Sequence, residues 1–368
     1  MQAGCITLFL LLASSSASPP DHVDGSVEVL TYHGTSDASA AVAVADGMFV
    51  VADDENNILR VYRTNQHSGP VFSYDLTSFL RIDPKYPEAD IEGATRVGDR
   101  IYWVTSHGRG VDGTERPNRY RFFAAKSKLQ DGGIALDPIG TPCQTLVHEL
   151  INSKPTGHLR LDRATHLGTK KLKKKERKKL APKEDGLNIE ALSASLDGKI
   201  LYIGFRNPRP RNEMTSRREA LVVVLNNPIE VVEKGAPPRF GEPMLWDLNG
   251  LGIRSMEYSH FHGVYFIVAG RHNAKHRFSL YRWSGDKTEP PVFVRQILPD
   301  DRDLNPEAMV LFEDSSKMLL LSDDGAVRVP VSDASECVKG QLRDKQYCLN
   351  KHLIDNGKKC FRGIWLEP

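Results

Sequence analysis

Five times along the chain one short pattern returns: a polar residue, a spacer, then Glu or Ser opening a small or apolar run. A Gly or polar turn follows, then a second apolar run that ends in polar residues. The copies begin at Asp37-Ala38-Ser39, Asp90-Ile91-Glu92, Asn188-Ile189-Glu190, Ser255-Met256-Glu257 and Asn305-Pro306-Glu307. Their second runs end at Asp53-Asp54, Thr105-Ser106-His107, Arg206-Asn207, Gly270-Arg271-His272 and Ser322-Asp323-Asp324. A third strand-like run stands after each pair, at 58–62, 120–125, 220–225, 278–283 and 361–366. A fourth follows in the first four units only, around 71–74, 134–139, 243–247 and 292–297. Repetition at this scale marks a stacked or radial repeat architecture, and runs this short between turn residues are strands rather than helices.

The missing strand of the fifth unit has a counterpart at the other end of the chain, Val27–Tyr32, just before the first repeat. The expected fold is therefore all-β: a single β-propeller of five four-stranded blades, the last closed by the N-terminal strand so that no sheet edge stays open. A six-bladed ring is the alternative, because the gap between Glu92 and Glu190 has room for one more blade. The propeller domain spans 26–368, with a basic linker at about 143–186 and a Cys-containing insertion at 332–359.

Ahead of it, residues 1–18 read as a signal peptide: apolar from Cys5 to Ala13, then small and polar, with a cleavage position near Ala17. No Lys or Arg precedes the apolar run, and Pro19 and Pro20 crowd the cut, so a retained anchor or a misplaced start is the rival reading. No later segment is long and apolar enough to span a bilayer. The expected location is extracytoplasmic, periplasmic or secreted. Removal of the leader takes Cys5 with it and leaves Cys143, Cys337, Cys348 and Cys360 as disulfide candidates for one or two bridges, with the pairing open. Zinc is the rival, but there is no CxxC pair. A formal net charge of +2 argues against both a nucleic-acid binder and a disordered chain.

In a propeller, the start of each inner strand and the end of the next strand lie on one face. Ser39, Glu92, Glu190, Glu257 and Glu307 are thereby expected to ring one mouth of the axial channel. Asp53, Asp54, His107, Arg109, Arg206, Asn207, Arg254, Arg271, His272, Asp323 and Asp324 are expected to surround it as ligand-binding candidates. Two carboxylates about 6 Å apart at an effective dielectric of about 20 repel by about 3 kcal/mol, so the ring calls for protons, basic neighbours or a cation. Oxygen donors select a hard ion, Ca²⁺ before Mg²⁺ or Mn²⁺. The plainer alternative is that each ring residue staples neighbouring blades through backbone hydrogen bonds. The arginines either receive an anion or pair with these acids. His107 and His272 are candidates for acid–base chemistry, or are structural. No GxSxG, HExxH, Walker or EF-hand motif occurs, and nothing names a nucleophile. The run Lys170–Lys179 is a solvated linker or short exposed helix, or else a contact for a polyanion.

Two resemblances bear on this. The strings ADIEGATRVGDRIYWVTSHGR, LNIEALSASLDGKILYIGFRNPRP, LGIRSMEY, NPEAMVLF and LLLSDDG resemble an uncharacterised bacterial family, domain-of-unknown-function family 3616. That resemblance implies an exported propeller-like protein with no assigned reaction. More loosely, Ser39, Glu92, Glu190, Glu257 and Glu307, with Asp53-Asp54, are similar to the axial ring of calcium-activated nucleotidases of the apyrase family. This second likeness implies five blades and a channel-bound Ca²⁺. The expected function is binding of a small anionic or carbohydrate ligand at the channel mouth beside a divalent cation. The alternatives are a metal-dependent hydrolase of phosphate esters or anhydrides and a non-catalytic assembly scaffold. Fold alone does not choose among them.

Overall fold

The computed structural model describes residues 28–368 except 131–132, 168–171, 183–184, 272–277 and 298–302. The leader, His272 and residues 170–171 of the basic run lie outside the described residues.

Five four-stranded antiparallel sheets are present. From the axis outward, blade 1 is Ala38–Ala45, Met48–Asp53, Ile58–Arg63 and Phe72–Asp75. Blade 2 is Ile91–Val97, Arg100–Thr105, Phe122–Gln130 and Gly133–Cys143; blade 3 is Asn188–Ala194, Leu201–Asn207, Ala220–Leu225 and Met244–Trp246. Blade 4 is Gly252–Ser259, Val264–Gly270, Phe278–Trp283 and Val292–Ile297. Blade 5 takes Pro306–Leu311, Met318–Ser322 and Cys360–Leu366 from the end of the chain and Val29–His33 from its beginning. That last strand pairs antiparallel with Cys360–Leu366, Val29 opposite Ile364 and His33 opposite Cys360. The ring closes with five blades, not six.

Both faces of each inner sheet are buried, which is why these strands read as near-continuous apolar runs instead of alternating ones. Each interface between neighbouring blades is a separate apolar layer. Trp103 and Phe123 pack with Val50 and Val61 between blades 1 and 2, and Tyr102 and Phe122 with Ile203 and Val223 between blades 2 and 3. Tyr202 stacks edge-on to Trp283 at 5.2 Å between blades 3 and 4. Tyr32, Phe361, Phe49 and Tyr62 fill the seam between blades 5 and 1. Large buried side chains of this kind contribute about 1.5–3 kcal/mol each, so the layers hold the ring and not just its blades.

The basic linker contains the helix Leu146–Asn152, whose Leu146, Val147 and Leu150 join the apolar layer of blades 2 and 3. The short helix Lys174–Lys178 has no buried residue. In the C-terminal insertion the strands Arg328–Pro330 and Tyr347–Leu349 pair, and a disulfide joins Cys337 to Cys348. Cys143 and Cys360 are free thiols, so one bridge forms from the four candidates. Among the described residues no helix is long and apolar enough to cross a membrane.

Candidate functional site

Every inner strand carries one extra residue near its start. The ladder passes from Ala38 to Ala40, Ile91 to Gly93, Ile189 to Ala191, Ile253 to Ser255 and Pro306 to Ala308, skipping one residue each time. The skipped residues are Ser39, Glu92, Glu190, Arg254 and Glu307. A bulge of this kind leaves its residue unpaired and re-aims the side chain, here at one level of the channel. The fourth position is a correction: Arg254 occupies it, and Glu257 lies three residues further along the strand, opposite Phe266, towards the other end of the channel. The acidic reading chose the nearest carboxylate; the bulge, which defines the position, is indifferent to charge.

Arg254 changes the electrostatics of the ring. It is 2% exposed; its Nη1 lies 3.0 Å from Glu190 Oε2 and its Nη2 pairs with Glu307. Arg206 Nη1 is 2.6 Å from Glu190 Oε1, which also accepts from Asn188 Nδ2 at 2.6 Å. Asn305 Nδ2 donates to Glu307 Oε1 at 2.8 Å. Two of the ring's three carboxylates are thus neutralised by arginine. Ser39 Oγ donates across the blade boundary to Ile91 O at 2.6 Å and sits close to Ala52 O at 3.2 Å. It staples blades 1 and 2.

The larger group of acids, only partly compensated, gathers on the other side, where blades 1 and 2 meet. Asp37, Asp53 and Asp54 each place an oxygen within 4.8 Å of the others, and so do Asp54, Asp90 and Glu92. Asp54 belongs to both trios. Asp53 is held from below: Thr35 Oγ1 donates to Oδ2, and the Glu55 N–H donates to Oδ1 at 2.8 Å. Asp37 accepts from Ser36 Oγ at 2.5 Å. Asp90 accepts from Ser106 Oγ and pairs with Arg119 Nη1 at 2.9 Å. Asp54 Oδ1 is buried and has no hydrogen-bond partner.

Burial, reinforced by Asp323 and Asp53, pushes the Asp37 carboxyl up to about 9. Burial, then Asp37 and Glu92, holds Asp54 well above the usual carboxylate range. Glu92 is raised likewise by burial, then by Asp90 and Glu190, with Arg206 and Arg254 opposing. A buried group of acids that repel one another is the environment that a divalent cation with oxygen ligands relieves.

A cavity of about 650 Å³ opens over this level, lined by Asp37, Asp54, Asp90 and Glu92 on one side and by Arg206, Arg254, Arg119, Lys178 and Lys351 elsewhere. Asp323, Asp324, Asn305 and Glu307 complete its wall. Lys178 brings the exposed basic helix to the rim. Arg119, Lys351, Asp90 and Asp37 were not among the ligand-binding candidates. Asp37 and Asp90 stand two residues before ring positions, which was the available signal. Arg119 and Lys351 come from a loop and from the insertion, where the repeat carries no information.

Asp324, though in this wall, is clasped by Arg362, whose Nε lies 2.7 Å from Oδ2. Other candidates are placed elsewhere. Asn207 Nδ2 donates to Pro182 O at 2.7 Å. Arg109 is turned into the protein, donating to Thr165 O at 2.9 Å and pairing with Glu115 at 2.8 Å. His107 is buried with Nδ1 2.8 Å from Thr105 O and does not line the cavity. Arg271 is exposed.

The solved structures to which the chain is similar include Myxococcus xanthus glutaminyl cyclase, with 10% identity, 80% of this chain and 89% of that one covered, and a TM-score of 0.41. Kuenenia stuttgartiensis hydrazine synthase matches with 9% identity over 87% of this chain and 63% of that one, at a TM-score of 0.35. The Cps50 (Swd1) β-propeller domain of Myceliophteria thermophila matches with 7% identity over 90% and 96%, at 0.34. At such scores none of the three bears on function. No curated protein matches the chain. Residues 37–127, which hold blade 1 and most of blade 2 with both carboxylate trios, match the family described as "Protein of unknown function (DUF3616)".

Proposed function

We propose that this is an exported propeller that binds a divalent cation, Ca²⁺ first, at the mouth of its channel and uses the ion to receive a small anionic ligand. Asp37, Asp54, Asp90 and Glu92 are the ligands, with Asp53 behind them. The observation that carries this reading is Asp54: shared by both carboxylate trios, it holds a buried oxygen with no hydrogen-bond partner. The bound ion would supply the missing counter-charge and, where a coordination position stays open, a point of attachment for an anion. Lys178 at the rim, with Arg206 and Lys351, which also pair with Glu190 and Glu55, supports an anionic ligand in the same cavity. The Cys337–Cys348 bridge supports export, since such bonds persist in oxidising compartments. Binding is preferred to hydrolysis because, among the described residues, neither a hydroxyl or thiol nucleophile nor a histidine lines the cavity: His107, one of the two offered for acid–base work, is held at Thr105 O instead.

The test is unfolding of wild type and Asp54→Asn, each in EDTA and in CaCl₂. Wild type should gain about 2.7 kcal/mol at a hundredfold excess of Ca²⁺ over its Kd, and the variant should gain almost nothing. Identical curves in all four conditions would end the proposal. Orthophosphate titrated with and without Ca²⁺ then reads the anion: binding that ignores Ca²⁺ contradicts the role given to the ion.

A further inference from the structure

Glu257, displaced from the ring, faces a second cavity. It occupies the opposite mouth of the channel, has a volume of about 470 Å³, and is lined by the turns that join the first two strands of the blades. Between the two mouths the channel narrows to about 10 Å³ of free space, bordered by Leu192, Met256 and Met309 and, at its ends, by Glu92, Glu190 and Glu257. The second cavity is therefore a separate compartment.

Its chemistry differs from that of the first. Glu257, Asp46, Asp197, Glu313 and Asp314 line it with His260 and one guanidinium, Arg96, whose Nε donates to Gly98 O at 2.7 Å; Asp197 is paired with Lys199 at 3.2 Å, and the other four acids have no such partner in the lining. The Glu257 carboxylate takes a hydrogen bond from the Leu311 N–H, while its Oε2 is buried with no partner. Burial holds this carboxyl well above its ordinary range. A buried acceptor left unpaired is unfavourable, the more so when charged, and a donor brought by a ligand relieves it. The remaining acids stand apart: among the described residues, the groups of three with metal-ligand spacing lie at the other mouth only. Dispersed carboxylates around one buried acceptor do not make a cage for a small ion; they suit a cation that is itself extended. Tyr258 and Phe312 add aromatic wall, to which ammonium groups are attracted. The volume is that of a small-molecule site.

We infer that this cavity binds a linear organic polycation, one primary ammonium donating to Glu257 Oε2 and the rest of the chain lying among the acids of the rim. Spermidine is the probe. Calorimetric titration should show binding to wild type with Ca²⁺ present and again in EDTA, since the compartment does not depend on the other mouth. Glu257→Gln keeps the shape and removes the charge, and should weaken binding by roughly tenfold to a hundredfold, the value of one charge-assisted hydrogen bond. Ala43→Phe, which fills the cavity from blade 1, should abolish it and so guards against a Glu257 variant that fails to fold. A peptide rich in lysine, titrated in parallel, separates a free polycation from a protein side chain; tighter binding of the peptide would overturn the small-molecule assignment. Absence of spermidine binding at millimolar concentration, or equal binding by wild type and both variants, overturns the site.

Discussion

Burial decides the ionisation of His107. The residue is 1% exposed, its Nε2 has no partner, and its ring meets Tyr120 edge-on at 5.6 Å. Desolvation lowers its pKa to about 4, against about 6.5 in an unfolded chain. Between those values the unfolded state binds more protons than the folded one, so stability rises with pH there and is lost as pH falls from about 6.5 to about 4. The loss attributable to this residue is about 3 kcal/mol. Its φ of +53° is one that Asn tolerates, which makes His107→Asn the suitable variant. Urea denaturation at pH 7 and at pH 4 should show the difference between the two conditions shrinking by that amount in the variant; an unchanged difference would place the acid sensitivity elsewhere. The sequence left His107 between acid–base and structural roles, because a repeat places a residue along a strand end but not the direction its side chain takes. The positive φ turns this one inward.

The bulge at the start of each inner strand is the element that builds the mouth, and it was half legible. Four of its five residues, Ser39, Glu92, Glu190 and Glu307, announce themselves by the recurring polar-x-Glu or polar-x-Ser pattern. The fourth blade breaks the pattern with Gly252-Ile253-Arg254, and counting carboxylates slides the register by three. Its glycine has a steric reason: a Cβ on Gly252 would lie 2.3 Å from Arg206 O. Arg254 ties Glu190 and Glu307 together, so Arg254→Met leaves Glu307 without its arginine and Glu190 with Arg206 alone, and should cost about 3 kcal/mol in urea. Removing all three charges together, as Glu190→Gln, Arg254→Met and Glu307→Gln, should cost clearly less. A triple variant as unstable as the single one would show that packing, not charge, is what Arg254 provides. Gly325 makes a parallel case on the acidic side. A Cβ there would meet Asp37 Oδ1 at 1.7 Å. Gly325→Ala should push that carboxylate off the cluster and weaken Ca²⁺ binding by about tenfold, or about 1.4 kcal/mol, and calorimetry showing wild-type affinity would remove Asp37 from the ligand set.

At the scale of the whole ring, closure and the proposed cation site share a seam. The closure was readable from strand counting: the last unit lacked a strand and the first had one to spare. What the count leaves out is that the same seam carries Asp37. Asp37 bridges to Asp323 across it, and the Asp324 N–H donates to Ser36 O at 2.9 Å. Tyr32 of blade 5 anchors the seam, with ring centroids 5.3 Å from Phe49, 5.7 Å from Tyr62 and 5.2 Å from Phe361. Truncating it as Tyr32→Ala should cost about 3–5 kcal/mol, the usual range for a large aromatic side chain lost from a core. A strained or loosened seam should also move Asp37 relative to Asp54, so Ca²⁺ affinity should fall together with stability. Tyr202→Ala, in the aromatic layer between blades 3 and 4, is the comparison: of the same chemistry and far from the acids, it should lower stability while Ca²⁺ affinity holds. Calcium titrations below the unfolding transition of each variant make the comparison. If both variants bind Ca²⁺ alike, the seam closes the ring without setting the geometry of the cluster, and Asp54, Asp90 and Glu92 hold the ion without help from blade 5.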